Sequence, residues 1–384
     1  VVKREPIFFV IFIGLIFLPS FVLAHVSGLC SNCHTMHASQ TPWPDEWSSG
    51  VEGNPQPYLL ATKGSSPCVG CHSSSTSSTY YERGGCKVPV VLYTGGSEPT
   101  EYLAGGNFWW VKEGLGNDDT KGHNVFLNEG DDNLSEAPGA VGFTTCGTNS
   151  CHANLHLPVT GASEELNGKY GCQGCHLNVK HHAKDHPNGE SGLVDSADKG
   201  WYRFLSGHMS GDGHGVEGYE HGEWEAGLHD GGNHQGASDH NEYLGFHQVG
   251  EPGSGYGFNG LGHTTTAFCT GCHGVFHQEQ KKEEGGSWVR HPSDYKIQNK
   301  GEYAVVVGGS YPYDPLSPVA RPSLSDPPSD PGHVHSGDMV MCLSCHRPHG
   351  SPYPDLLRWD YTQQIAGGGG DDKGCFYCHT QKND

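Results

Sequence analysis

The sequence predicts a mostly irregular chain with few short helices and strand pairs. Two observations lead there. Only 34% of the 384 residues are hydrophobic, against 58 glycines and 24 prolines. That is too little apolar side chain for a conventional core of this size. Second, two cysteines followed at once by a histidine recur seven times, and each copy can staple a loop to a flat apolar cofactor in place of a core.

Six copies have the form Cys-x-x-Cys-His: Cys30/Cys33/His34, Cys68/Cys71/His72, Cys172/Cys175/His176, Cys269/Cys272/His273, Cys342/Cys345/His346 and Cys375/Cys378/His379. The remaining copy, third in chain order, is stretched, with four residues between Cys146 and Cys151 before His152. Cys-x-x-Cys-His is the attachment signal of c-type haem. The thiols add to the porphyrin vinyl groups, and the histidine becomes the proximal iron ligand. Zinc or disulfides would explain paired cysteines but not the histidine. With 27 histidines in 384 residues, a chance histidine after all seven pairs has a probability on the order of 10⁻⁸. Seven haems c are therefore expected, and the haem chain takes the place of a core. The motifs use fourteen of the 15 cysteines and leave Cys86 over, read as a buried, inert thiol.

Taken in order, residues 1–24 have the features of an export signal. Lys3 and Arg4 precede an apolar run from Ile7 to Val22, and Val22-Leu23-Ala24 offers a small-residue cleavage site. Residues 25–384 then form one multihaem domain with no membrane span in the mature protein. Export fits the chemistry, placing the protein outside the cell or at its surface, with the periplasm as the alternative. The net charge of −21 argues against nucleic acid as a partner. Ser73–Thr79 reads as a surface loop, and 311–332, with seven prolines, as an extended linker.

Twenty histidines remain beyond the motifs, enough to give every iron a second histidine. The methionines, Met36, Met209, Met339 and Met341, are far fewer. An iron held by two histidines has no open position, so it carries electrons and does not activate small molecules. Distal candidates are His37, His156, His277 and His349, three or four residues beyond a proximal histidine and so placed to reach an adjacent haem. His123, His291, His333 and His335 are others. Between His208 and His263, histidines recur among glycines and acidic residues. The residues leave three readings there: one or two haem ligands, including His208 or His263; a bound metal; or a solvated loop.

The phrases Cys30–His37, Gly105-Gly106-Asn107-Phe108-Trp109-Trp110-Val111-Lys112, Lys121-Gly122-His123-Asn124, Val289-Arg290-His291-Pro292 and Cys342–His349, in that order, resemble the OmcS-type cytochromes. These are six-haem proteins that polymerise into extracellular filaments. The resemblance implies bis-histidine irons in one continuous chain through a loop-rich protein. It also implies a head-to-tail homopolymer in which His37 ligates a haem of the neighbouring subunit. The expected function is electron transfer by haem-to-haem hopping, not enzymatic, to extracellular acceptors or other multihaem cytochromes. The rival readings are a discrete periplasmic or outer-surface carrier and a multihaem oxyanion reductase. Against the six-haem pattern, the motif at Cys172 and the Gly/His-rich segment 157–262 read as an insertion. The extra haem would draw its distal ligand from His181, His182, His186, His208 or His263.

Overall fold

Six of the signatures fold locally, each as one helical turn. The computed structural model describes residues 29–30, 33–34, 67–112, 119–126, 155, 168–177, 179–183, 191–206, 215–225, 235–246, 263–270, 273, 291–368 and 373–382. In six of the signatures the backbone N–H of the motif histidine donates to the carbonyl of the first cysteine. The distances are 2.8 Å at His34 and His72, 2.9 Å at His176, 3.0 Å at His273 and His379, and 3.1 Å at His346. This is the bond from a residue to the one four before it in an α-helix, so the first cysteine and the histidine share a face. The resulting helices are α1 (Pro67–Cys71), α2 (Cys172–Cys175), α3 (Thr265–Thr270) and α5 (Cys375–Cys378); α4 (Tyr303–Val306) carries no motif. The sixth motif makes a 3-10 turn over Cys342–Ser344. Segments of four to six residues are far below the length at which a helix stands alone. Chain entry into α2 and α5 uses Gly171 (φ 57°) and Gly374 (φ 62°), in a left-handed conformation that a side chain would strain.

Strands are equally short. Near the N-terminal motifs, β1 (Ser73–Ser74) pairs in parallel with β4 (Leu92–Tyr93), and β2 (Tyr80–Arg83) forms a hairpin with β3 (Cys86–Pro89). The segment expected as a surface loop, Ser73–Thr79, opens with β1 and continues as irregular chain with Ser75 and Thr76 exposed; the buried Ser74 Oγ accepts the backbone N–H groups of Thr76 and Ser77 at 3.1 and 3.0 Å. Cys86 is buried in the hairpin.

The largest sheet is assembled from distant parts of the chain. Its strands are β5 (Gly192–Val194), β6 (Gly218–Glu220), β7 (Glu242–Leu244), β8 (Tyr295–Lys296), β10 (Ala320–Arg321) and β12 (Met339–Val340). Their spatial order is β5-β6-β7-β10-β12-β8. The β7–β10 pair is parallel, with Ala320 opposite Tyr243, and the other pairs are antiparallel. Strands β9 (Tyr311–Pro312) and β11 (His333–Val334) form a separate pair.

Two expectations change here. The segment 157–262, read as an insertion, supplies three of the six strands and is built into the sheet. The proline-rich stretch 311–332 is packed, not a free linker. It contributes β9 and β10 and buries Tyr313, Asp314, Val319, Ala320 and Arg321. Proline does remove backbone donors, but this stretch satisfies its backbone with short pairings and the Arg321 side chain.

A hydrophobic core joins Val194, Tyr202, Val216, Tyr243, Ala320, Met339 and Met341. A second joins Ile297, Val306, Val307, Tyr313, Val319, Val334 and Tyr377. Between them, the buried Arg321 guanidinium meets Glu242 at 3.0 Å and Asp338 at 2.6 Å and donates to the carbonyls of His333 and Pro331. A charge taken this far from water is tolerated only with partners on every side. No described helix is long and apolar enough to cross a membrane.

Candidate haem-ligating histidine pairs

The motif turns place their histidines at the ends of short, anchored segments, and backbone carbonyls orient the rings. His72 Nδ1 donates to the Pro89 carbonyl at 2.8 Å, His176 Nδ1 to Arg203 at 2.8 Å, and His346 Nδ1 to Asp355 at 2.7 Å. His379 Nδ1 lies 3.1 Å from the Tyr303 hydroxyl and 3.4 Å from Glu302. A proton held at Nδ1 leaves the Nε2 lone pair for a metal and fixes the ring plane.

Opposite five motif histidines stands a second histidine. The ring centroids are 6.3 Å apart for His34–His182, 6.0 Å for His72–His181, 6.2 Å for His176–His349, 6.0 Å for His123–His273 and 6.3 Å for His291–His379. Stacked rings would sit closer. Two imidazoles on opposite sides of one metal, each bonded at about 2.0 Å through a nitrogen roughly 1.1 Å from its own ring centre, give about 6.2 Å. The gaps therefore have the dimension of one shared ion. Among the described residues, no group of three or more His, Cys, Asp and Glu converges to hold a bare metal ion. A tetrahedral zinc site needs such convergence; a haem iron, with four porphyrin nitrogens of its own, needs only two axial ligands.

Two of the second members are oriented the same way. His123 Nδ1 donates to the Pro348 carbonyl at 2.9 Å, and His291 Nδ1 to that of Pro292 at 3.0 Å. Burial, and then the neighbouring His176, His123 and His72 rings and Arg203, push His349 down to about 3. Burial likewise lowers His72, His123 and His176. Burial thus disfavours the charged form of these four rings, and metal-bound imidazole is neutral. The second thiols of several motifs are raised by burial: Cys71, Cys345 and Cys378 to about 12, Cys175 to about 11. These sulfurs sit in apolar, desolvated positions, which suits thioethers better than thiolates. At five of the motif histidines, the described residues fit a covalent haem with a second histidine on its other side.

Of the sequence-based distal candidates, His123, His291 and His349 face motif histidines. His263 does not face a described one: it stacks on Trp201 at 5.1 Å and donates from Nδ1 to the Gly215 carbonyl. His333 and His335 both turn to Asp330, at 2.9 and 3.4 Å. Neither ring faces a described motif histidine. His181 and His182, associated from sequence with the Cys172 motif, face His72 and His34. The doublet was visible, but its targets lie more than a hundred residues upstream. Met339 and Met341 are core residues of the sheet, and His240 is buried against Tyr313, with both ring nitrogens at backbone carbonyls. Cys146, Cys151, His152, Cys272, His37, His156, His208 and His277 lie outside the described residues.

A family model described as a doubled CXXCH motif matches residues 332–384, which hold the sixth and seventh signatures. No curated protein matches the chain. Among solved structures, the outer-membrane cytochrome S filament of Geobacter sulfurreducens is 18% identical, with a TM-score of 0.43 over 93% of this chain and 91% of that one. A cryo-microscopy structure of OmcS nanowires from the same organism gives 18% and 0.43, over 90% and 86%.

Proposed function

We propose that this chain is a seven-haem c-type cytochrome that carries electrons and polymerises into an extracellular conducting filament. One observation carries the electron-transfer reading: five motif histidines each face another histidine across the gap of a single metal. Haem iron supplies reversible one-electron chemistry. The paired histidines would hold each such iron from both sides and leave it no site for substrate. The protein also fixes several of the rings, among them His72, His123, His176 and His291, through an Nδ1 bond, which helps set the energy of those electron-holding positions.

The filament reading rests on the sequence phrases that resemble OmcS-type cytochromes, and one structural feature favours it. His346 is exposed, its Nδ1 is tied to Asp355, and no described histidine ring lies across from it. Its iron is the proposed receiver of a ligand from the neighbouring subunit, with His37 the candidate donor. Ligation of this kind is head-to-tail and does not close, so it propagates.

Mass spectrometry and spectroscopy test the first part: seven covalent haems and only low-spin ferric iron in the assembled protein are expected. A high-spin ferric species in the assembled state would contradict it. For the second, His37→Ala should keep the haem count and abolish filaments under the electron microscope. Unchanged filaments would contradict ligation by His37.

A further inference from the structure

Building on the haem reading, we infer that Asp294 couples proton uptake to electron transfer. Its carboxyl binds a proton when the haem anchored at Cys342 is reduced and releases it on reoxidation.

Asp294 sits where the fifth and sixth motifs meet. It lies just before β8 and is 3% exposed. Its N–H donates to the Val340 carbonyl at 2.7 Å. Oδ2 accepts from the Thr264 hydroxyl at 2.7 Å. That hydroxyl accepts in turn from the Ala267 N–H at 3.0 Å and so caps α3, the helix that carries Cys269. Oδ1 is buried and meets no hydrogen-bond partner. On the other side, the Cys342 N–H donates to Thr266 at 3.3 Å, and the Cys342 and Cys269 thiols are hydrogen-bonded to each other. The attachment sulfurs of two motifs therefore meet beside this one carboxyl.

The groups that face Asp294 leave its charge uncompensated. Thr264 and Thr266 come from the α3 segment. Cys342 comes from the motif-six turn with Cys269 behind it, and both sulfurs are thioethers once haem is attached. Tyr295 and Lys296 on β8 are exposed. Asp338, just before β12, is paired with Arg321 at 2.6 Å, while His263, just before α3, turns to Gly215 and Glu217. Among the described residues no cation pairs with Asp294, and burial, outweighing the two hydroxyls, raises its carboxyl to about 7.

Charges held out of water act strongly on one another. In the oxidised protein an ionised Asp294 offsets the positive charge of a ferric haem. An electron arriving from a neighbouring ferrous haem removes that charge, and the buried carboxylate then takes a proton from water. One electron enters the iron, one O–H bond forms at Asp294, no other protein bond changes, and the net charge of the site is conserved. Reoxidation reverses both steps. Because the ionised carboxylate favours ferric iron, the potential of this haem is level at low pH and falls as pH rises through about 7.

The test compares full-length holoprotein with Asp294→Asn, both reduced at an electrode in weakly buffered solution with a pH indicator. Just above pH 7, the variant should take up roughly a few tenths of a proton fewer per protein on full reduction. One component of its redox titration should move to higher potential above pH 7, and the two titrations should coincide below about pH 6. Asp294→Glu keeps a carboxyl and should retain the uptake. Equal uptake and superimposable titrations in a fully haem-loaded Asp294→Asn would overturn the proposal. The parent alone gives a second reading that needs no variant. Its reduced-minus-oxidised infrared spectrum just above pH 7 should gain the C=O band of a protonated carboxyl, shifted in heavy water, and absence of that band would also overturn the proposal. Missing covalent haem mass in the parent would instead contradict the haem reading on which it rests.

Discussion

The sheet region and the motif loops are stabilised by different physics, although they are interleaved in sequence. Around β5, β6, β7, β10 and β12, ordinary side chains fill the interior: Tyr202, Tyr243, Ala320, Met339 and Met341 are almost fully buried, and Arg321 is neutralised on two sides. Around the N-terminal motifs the apolar cluster is small, Leu92, Phe108 and Val111, and the most regular feature is a set of histidines facing each other across gaps. One region carries its own core. The other is shaped around a group that the chain binds. A composition too poor in hydrophobic residues for 384 positions is thereby reconciled with a folded protein: conventional packing is concentrated in the sheet and in the second core around Val306, Tyr313 and Tyr377.

The largest expected effect breaks this contrast directly. Chain produced without haem attachment should lose amide hydrogen-exchange protection throughout 67–112, while Tyr243 and Ala320 amides retain measurable protection. Equal loss in both regions would show that the sheet also depends on the cofactor. Next, Arg321→Ala strands Glu242 and Asp338 as buried, unpaired carboxylates and should cost about 3–5 kcal/mol in denaturant unfolding. Its haem absorption should stay unchanged, because the arginine faces the sheet and not a histidine gap. Tyr243→Ala leaves a cavity in the same core and should cost about 3–5 kcal/mol, read the same way.

A subtler effect separates the haem sites from one another. The ring planes of His291 and His379 cross at 84°, whereas those of His72 and His181 differ by 20°. Near-perpendicular axial planes bring the iron d orbitals close to degeneracy and give a large, strongly anisotropic g value. Near-parallel planes give a rhombic low-spin spectrum. His291→Ala should remove an anisotropic signal and His181→Ala a rhombic one. The smallest effect concerns pH. Burial raises Asp294 to about 7, and its Oδ2 accepts from Thr264 at 2.7 Å. The folded state therefore holds this proton more tightly than the unfolded chain, whose aspartate titrates near 3.8. Its contribution to stability is full below about pH 4 and is lost as pH rises through about 7. Asp294→Asn should flatten that part of the stability profile.

Much of the local chemistry was legible in the sequence, because it is encoded within five residues. Cysteine and histidine four apart specify the helical turn, and the turn specifies which atoms share a face. His123, His291 and His349 could be singled out by their phrases. The pairing of His34 with His182 could not, since 148 positions separate them and only the tertiary fold brings them together. Two-residue strands such as β10 carry no periodic signal, so the sheet was invisible and segment 157–262 read as an insertion. Prolines in 311–332 suggested an exposed linker because composition alone does not reveal that Arg321 anchors it from inside.

The central claim is that paired histidines share one iron. A cryo-microscopy map of the haem-loaded protein tests it most directly. The account predicts iron midway between His34 and His182, His72 and His181, His176 and His349, His123 and His273, and His291 and His379, bonded through both Nε2 atoms. Irons ligated by any other partner at these positions, or gaps holding no iron, would contradict it.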